Sequence, residues 1–300
     1  GAGSDGWGRD TWEFNGAAWT RGPFPMSTLG PRTDPAMCYD AVRGTVVLFG
    51  GYVSGLGPMN DTWEYDGVTW SAGPSPPAGL LKRYGHGLAF DSTRSITVLF
   101  GGRDGTTSFA DTWEYQGALW TAGPTAPPAM SAREQHAMAF DGGRSVVVVH
   151  AGVGGGTWLN ETWEYDGATW QSAGTGPARY GASMAYHQSR AACVMFGGVL
   201  ASGGYSNETW EYDGSTWQLR ATPAGLVGRY EHVMVYDVTQ GDVVLFGGFG
   251  TGATPHKEDT WVYDGTWQQV DTAPARPLIG LTARTSHAAV LDSTRGVVVM

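Results

Sequence analysis

The 300-residue sequence is poor in the residues that mark several common protein classes. Two cysteines are too few for a disulfide-rich framework. There are only two lysines, Lys82 and Lys257, and no basic run, which argues against a nucleic-acid ligand. No apolar stretch approaches the roughly 20 residues of a membrane-spanning helix, and no segment shows the apolar period of an amphipathic helix. We therefore expect a helix-poor chain without membrane insertion.

The sequence is instead dominated by one recurring motif that contains two tryptophans. The stretch FADTWEYQGALWTAGP, residues 109–124, recurs along the sequence, and each copy carries two tryptophans. The first tryptophans of successive copies stand 47 to 51 residues apart. They are Trp12, Trp63, Trp113, Trp163, Trp210 and Trp261. Six copies at a fixed period predict one array of like units, and hence one domain, over residues 1–300.

Each copy reads as four short β-strands. An arginine-led apolar stretch such as RYGHGLAFDSTR comes first, and an aliphatic strand ending in small residues, such as ITVLFGG, follows. The two tryptophan-bearing stretches supply the third and fourth strands, and Asp-Gly steps such as Asp66-Gly67 suit the turn between them. β-branched and aromatic residues fill the strands. Six such units predict an all-β, six-bladed β-propeller with four-stranded antiparallel blades.

The two ends of the sequence complete one of these blades. Counted from the repeat arginines, the sixth unit stops after two strands at RGVVVM, whereas residues 1–20 supply a third and a fourth strand. We predict that blade 6 joins about residues 284–300 to residues 1–20, which closes the ring without an exposed sheet edge. Loop lengths place Gly1 at the second glycine of the repeat, so the equivalents of Phe49 and Gly50 are missing at this seam.

The repeat resembles that of the Kelch-type β-propellers. Its marks are a Gly-Gly pair after an apolar strand, then a tyrosine and a tryptophan at fixed spacing, here Gly50-Gly51, Tyr65 and Trp70. The resemblance covers the whole chain. It implies the propeller fold but no single function, because propellers serve as scaffolds for many tasks.

Three copies depart from the pattern. Ala151 replaces a first glycine, Phe14 replaces the tyrosine, and Val262 replaces the glutamate before the tyrosine. Twelve of the 14 tryptophans belong to the repeat. Sheets pack about 10 Å apart, and a tryptophan fills that gap with one rigid side chain. We therefore expect these twelve to pack between blades.

Cysteines and histidines predict neither a disulfide nor a metal site. Cys38 falls in blade 1 and Cys193 in blade 4, on opposite sides of the ring and beyond the roughly 7 Å reach of a disulfide, so we expect two buried thiols. Four blades carry a histidine three residues after the arginine, a residue type that binds metals. Equivalent positions are spread around the pore, however, and we expect these imidazoles to bond to neighbouring backbone. They are His86, His136, His232 and His287.

One side of the ring carries the candidate ligand-binding residues. In a propeller, the loops before the first strands and the loops after the second strands emerge on the same side, which we call the loop face. The first set contains the repeat arginines Arg32, Arg83, Arg133, Arg179, Arg229 and Arg284, with Tyr84, Tyr180, Tyr230, Asp34, Glu134 and Glu231 beside them. The second set contains Tyr52, Met59, Arg103, Asp104, Phe109, Tyr205, Phe249 and His256.

Two tryptophans outside the repeat, Trp7 and Trp158, also fall in the second set of loops, in the opposite blades 6 and 3. Aromatic planes beside arginine suit a sugar ring or a peptide; alternatively, both tryptophans fold back over the blade ends. The Kelch resemblance implies that loop arginines bind acidic peptides, since a guanidinium offers five donors to carboxylates. An arginine in every blade could equally bind a carbonyl or carboxylate of the adjacent blade, with the loop acids as near partners.

Three kinds of function fit these residues. The first, which we predict, is a non-catalytic module that binds a glycan or a polypeptide through the loop face, without cofactor or metal. The second is a sugar isomerase resembling the Kelch-type sialic acid epimerases, with Glu134, Glu231 or a repeat histidine as acid–base group. The third is a structural unit of a larger protein or assembly. The scarcity of lysine and the lack of a catalytic set favour a bacterial extracellular or cell-surface setting.

Overall fold

The chain folds into six four-stranded antiparallel sheets arranged around a central channel. The structure is a computed structural model that describes residues 2–3, 6–7, 10–23, 29–252, 254–270 and 284–300, and of residues 2–3 and 6–7 it describes the backbone alone. Among these residues the one helical segment is the 3-10 turn Gln188–Arg190. The prediction of an all-β, six-bladed propeller is confirmed.

The strands of blades 1 to 5 follow one another in chain order from the channel outward. Blade 1 consists of Ala36–Asp40, Thr45–Phe49, Thr62–Tyr65 and Trp70–Ala72; blade 2 of Gly87–Asp91, Ile96–Phe100, Thr112–Tyr115 and Trp120–Ala122; blade 3 of Ala137–Asp141, Val146–His150, Glu161–Tyr165 and Trp170–Thr175. Blade 4 consists of Ser183–His187, Ala192–Phe196, Thr209–Tyr212 and Trp217–Arg220; blade 5 of Val233–Asp237, Asp242–Phe246, Thr260–Tyr263 and Trp267–Val270.

Blade 6 contains strands from both ends of the chain. Its order is Val290–Asp292, Val297–Val299, Trp12–Phe14 and Trp19–Arg21. Glu13 pairs with Val299 and Phe14 with Val298, so the third strand is hydrogen-bonded to the second although the two lie at opposite ends of the chain. The inner strand of blade 6 contacts the inner strands of both blade 5 and blade 1, which closes the ring.

The position of each strand explains its composition. The second strand lies in the middle of the blade with a neighbouring blade on each side, and four of its five residues are buried in blade 1. Such a strand reads as a continuous apolar run, here TVVLF. The fourth strand is the outer edge, where only the first residue, Trp70 in blade 1, is buried.

The Gly-Gly pair after the second strand suits the backbone there, although in blade 3 Ala151 occupies the first position with a φ of 61°. Gly50 and Gly51 have φ of 59° and 95°, in the left-handed region that favours glycine. A Cβ on Gly50 would lie 2.7 Å from the carbonyl oxygen of Arg83 in the next blade. The pair therefore lets the end of one blade approach the next closely.

The repeat tryptophans hold neighbouring blades together, as predicted. The second tryptophan of each blade donates from Nε1 to a threonine Oγ1 in the preceding blade, for example Trp120 to Thr62 at 2.9 Å. Trp70 donates to Thr11 at 2.9 Å and Trp19 to Thr260 at 3.4 Å, so both interfaces of blade 6 carry the same contact. Ten of the twelve side chains are buried, and Trp210 and Trp217 are partly exposed. Cys38 and Cys193 are buried free thiols, also as predicted.

Candidate binding face

Short β-ribbons build the loop face. In each blade the residue that follows the repeat arginine forms a backbone pair with the residue that follows the Gly-Gly pair or its equivalent. The two sets of loops therefore support each other. These pairs are Thr33–Tyr52, Tyr84–Arg103, Glu134–Val153, Tyr180–Val199, Tyr230–Phe249 and Thr285–Ala2. Both sets of loops thus emerge on one face, as the sequence predicted.

A closed ring of six residues forms the mouth of the channel on this face. Each member lies two positions after a repeat arginine and has a φ between 50° and 66°. Its backbone N–H donates to the carbonyl of its counterpart in the preceding blade, at 2.7 to 3.2 Å. We call Asp34, Gly85, Gln135, Gly181, Glu231 and Ser286 the mouth ring. The bond from Asp34 N to Ser286 O completes it between blades 1 and 6.

The polar side chains of the mouth ring interact across the opening. Glu231 accepts a hydrogen bond from Gln135 Nε2 at 3.1 Å and one from the Ser286 hydroxyl at 2.5 Å. Burial, together with the neighbouring charge of Glu231, raises the pKa of Asp34 to about 7. Burial likewise raises the pKa of Glu231. Two carboxyls in a poorly hydrated site disfavour double ionisation, so a negative charge at this mouth is incompletely stabilised.

The mouth opens into a cavity of about 390 Å³ inside the channel, lined by the first strands of all six blades. His86, His136 and His232 line it and are more than nine-tenths buried. Each packs edge-on against a phenylalanine of the preceding blade. His86 and His232 also interact with the backbone of that phenylalanine, as expected. Burial lowers the pKa of His136 and His232 to about 3, so these imidazoles are neutral at pH 7.

The repeat arginines lie beneath the loop face. Arg83 is fully buried and donates to the Gly101 carbonyl at 2.9 Å. It also donates to both carboxylate oxygens of Asp111, at 2.7 and 2.8 Å. Asp111 also accepts from Trp113 Nε1. Burial works against ionisation of Asp111, but the hydrogen bonds and charge of Arg83 lower its pKa. Each arginine thus ties the start of its blade to the third strand of the same blade.

The same ion pair recurs in every blade, with the acid in the arginine's own blade and not in the adjacent one. The pairs are Arg32–Asp61, Arg83–Asp111, Arg133–Glu161, Arg179–Glu208, Arg229–Asp259 and Arg284–Asp10. Asp34, Glu134 and Glu231 are not these partners. A ligand-binding role for the six arginines stays a prediction, and their burial favours the structural alternative.

Arg103 is more exposed than the repeat arginines. About a third of its side chain is accessible, and it donates to Glu134 Oε1 at 2.9 Å and to the Gly105 carbonyl at 2.8 Å. The ring of Tyr84 lies edge-on to that of Tyr52 at 5.6 Å. These side chains form a mixed polar and aromatic patch over blades 1 to 3.

A longer row of aromatic residues covers blades 3 to 5. Trp158 contacts Tyr180 at 5.6 Å between ring centres, and Tyr205 stacks on Tyr230 at 5.0 Å. Phe249 contacts both Tyr205 and Tyr230. Backbone pairing of Val199 with both Tyr180 and Tyr205 joins the two groups. We call these five partly exposed residues, Trp158, Tyr180, Tyr205, Tyr230 and Phe249, the aromatic arc.

The two extra tryptophans are described to different extents. Trp158 is half-buried in its loop, where it pairs with Val153. The backbone of Trp7 pairs with Ala2, beside Thr285 of blade 6, and its side chain lies outside the described residues. The backbones of both residues lie in loops of the loop face, and a ligand-binding role for them stays a prediction.

Sequence reasoning missed the mouth ring, although the sequence carries a signal for it. Two residues after each arginine stands Asp, Gly, Gln, Gly, Glu or Ser, and no β-branched or bulky apolar residue. Glycine and aspartate tolerate a positive φ, and the six positions avoid the β-branched and bulky residues for which a positive φ is least favourable. The pattern does not show which loop residues turn inward, so Asp34 and Glu231 stand in the sequence only as possible partners of the arginines.

The fold and the loop face define a Kelch-type β-propeller. The family described as the KLHDC2/KLHL20/DRC7 Kelch-repeats domain matches residues 9–173, more than half of the chain, and the chain belongs to this Kelch-repeat family. A comparison with curated proteins found no match. Among the described residues there is no helix with the length and apolar character needed to cross a membrane.

Proposed function

We propose that this chain is a non-catalytic interaction module that binds a polypeptide through its loop face. Kelch propellers are typically protein-interaction modules. The observation that carries the proposal for this chain is the aromatic arc, five partly exposed rings on adjacent blades beside the channel mouth. Clustered surface aromatics are enriched at protein interfaces and dominate their binding energy.

The scaffold beneath the arc favours binding without large rearrangement. The mouth ring, the β-ribbons and the buried arginine–acid pairs fix the loops to the blades. Loops held this way lose little conformational entropy when a partner binds, which leaves more of the contact energy for affinity. Surface residues on a rigid scaffold are a common arrangement for recognition.

The proposal is tested with a peptide display library selected on the folded protein. Trp158→Ala and Tyr205→Ala should each weaken binding of the selected peptides by about tenfold or more, because truncating a central aromatic contact commonly costs more than 1 kcal/mol. Leu119→Ala is the matched control, since this side chain is 55% exposed in a turn on the opposite side of the blade.

Unfolding temperatures of the three variants show whether each remains folded. Selected peptides that bind both aromatic variants and the parent equally would contradict the proposal. A glycan array run in parallel tests the other ligand class that aromatic rings suit. If only glycans bind, and their binding requires the aromatic residues, the ligand is a glycan and not a polypeptide.

A sugar isomerase is the second candidate, favoured by one observation. The raised pKa of Asp34 and of Glu231 at a cavity mouth is a property of acid–base groups in enzymes. Mutarotation and epimerisation assays on a sugar panel test this candidate, with Glu134→Gln and Glu231→Gln as comparisons. Turnover that Glu231→Gln abolishes would support it. The cell-surface setting and the larger assembly remain further proposals, based on composition and on the repeat.

A further inference from the structure

The mouth of the channel combines negative charge, aromatic rings and a cavity in one place. Asp34 and Glu231 lie in the mouth ring, in blades 1 and 5, and flank Ser286 of blade 6. Glu231 directly follows Tyr230 of the aromatic arc. Burial, together with the charge of Glu231, raises the pKa of Tyr180 and of Tyr230. The acidic part of the mouth therefore borders the arc.

The basic residues beneath this part of the face are already neutralised. Arg229 and Arg284, which start blades 5 and 6, are buried and paired with Asp259 and Asp10. They cannot turn toward a ligand at the mouth without leaving these acids in the blades unpaired, which is costly. The chain as a whole has a net charge of −10.

The cavity below the mouth adds no positive charge near the two acids. His86, His136 and His232 line it and are more than nine-tenths buried. Because burial lowers the pKa of each of these imidazoles, they are neutral at pH 7 and do not repel a cation.

We infer that the mouth ring recognises a basic side chain, arginine or lysine, of the bound polypeptide. The cationic group lies between the carboxylates of Asp34 and Glu231, and the adjoining residues of the partner lie on the aromatic arc. A cation there relieves the repulsion between the two carboxylates and makes charge-assisted hydrogen bonds with them. This inference rests on the proposed polypeptide-binding function and specifies its partner as a basic one.

The test uses short synthetic probes, acetyl-Tyr-Arg-Tyr amide and its counterpart with neutral citrulline, titrated into the protein and followed by intrinsic fluorescence and calorimetry. Citrulline keeps the shape of arginine and removes its charge. We expect the arginine probe to bind at least about tenfold more tightly, the scale of a buried charge pair. Asp34→Asn and Glu231→Gln should each reduce this preference severalfold.

Glu258→Gln is the matched control, because this exposed carboxylate lies in a loop-face loop of blade 5 outside the mouth ring. It should leave the preference unchanged. Asn tolerates the left-handed backbone of Asp34, and thermal unfolding of each variant verifies that it folds. Equal binding of the two probes, a preference kept by both mouth variants, or no binding at millimolar concentration would overturn the inference. Equal binding that still requires Trp158 and Tyr205 would leave the proposed function standing.

Discussion

At the scale of single residues, His150 shows how one position is used for packing in most blades and for polar contacts in one. Four blades have phenylalanine here, and each ring packs on the second tryptophan of the next blade, as Phe49 does on Trp120 at 5.0 Å. His150 packs on Trp217 at 4.3 Å. It also bonds through Nδ1 to Thr162 Oγ1 at 2.9 Å and through Nε2 to the Pro177 carbonyl at 3.2 Å.

This residue makes the fold sensitive to acid. Burial lowers the pKa of His150 to about 3, whereas an unfolded histidine titrates near 6.5. Between these values the native state binds fewer protons than the unfolded state, so the free energy of unfolding decreases as the pH falls below about 6.5.

The free energy of unfolding should decrease less between pH 7.5 and 5 in His150→Phe than in the parent, by roughly 1–2 kcal/mol. Urea unfolding at the two pH values measures this difference. The reciprocal change Phe100→His, at the equivalent position of blade 2, should increase the loss. Equal pH dependence of parent and His150→Phe would show that this histidine does not carry the effect.

The sequence could predict packing positions but not polar pairings at this scale. The tryptophan contacts between blades follow from side-chain size and the spacing of sheets. A contact of the repeat arginines with the adjacent blade was one of the alternatives, and the arginine–acid pairs are found within blades, because chain spacing alone does not say on which side of a strand a long side chain runs. The mouth ring became visible only in the structure, because backbone hydrogen bonds between loops of different blades leave little trace in the sequence.

At the scale of elements, a Tyr–Glu contact joins the third strands of neighbouring blades. In five blades the repeat tyrosine donates to a glutamate of the preceding blade, as Tyr115 does to Glu64 at 2.8 Å. An arginine from the turn after the first strand, Arg43 in blade 1, donates to the same glutamate at 2.6 Å. The glutamate is thus held by both blades.

Two of the departures noted in the sequence concern one such contact. Phe14 of blade 6 lacks the hydroxyl, and Val262 of blade 5 occupies the position of the glutamate that this hydroxyl would contact. Val262 packs in the same apolar cluster as Phe14, and Gln240 stands where the arginine would be. All three polar partners are absent together, so no polar group of this set is left without its partner.

A double-mutant cycle tests this account. Phe14→Tyr alone buries a hydroxyl without a partner, and Val262→Glu alone places a carboxylate in an apolar site, so each should destabilise the protein by roughly 1–3 kcal/mol. The double mutant should be about 1–2 kcal/mol more stable than the sum of the two single effects predicts, which is the scale of a hydrogen bond to a charged group. Additive effects of the two changes in urea unfolding would show that the contact does not form at this interface.

At the scale of the whole molecule, repetition made the fold predictable and the loop face only partly so. The period predicted six blades, and the incomplete last unit predicted a blade built from both ends of the chain. The pairing of Glu13 with Val299 shows this blade. The residues that differ between blades gave Trp158 and the loop tyrosines as candidates. Their assembly into the aromatic arc depends on loop conformation, which no repeat specifies.

Hydrogen exchange of the protein with and without a display-selected peptide tests directly whether the loop face is the binding surface. We predict slowed amide exchange in loop-face segments 153–159, 180–182, 199–206, 229–231 and 249–252, with unchanged exchange in turns 66–69, 116–119 and 166–169 on the opposite side. Protection confined to those turns or to the outer fourth strands would contradict the account.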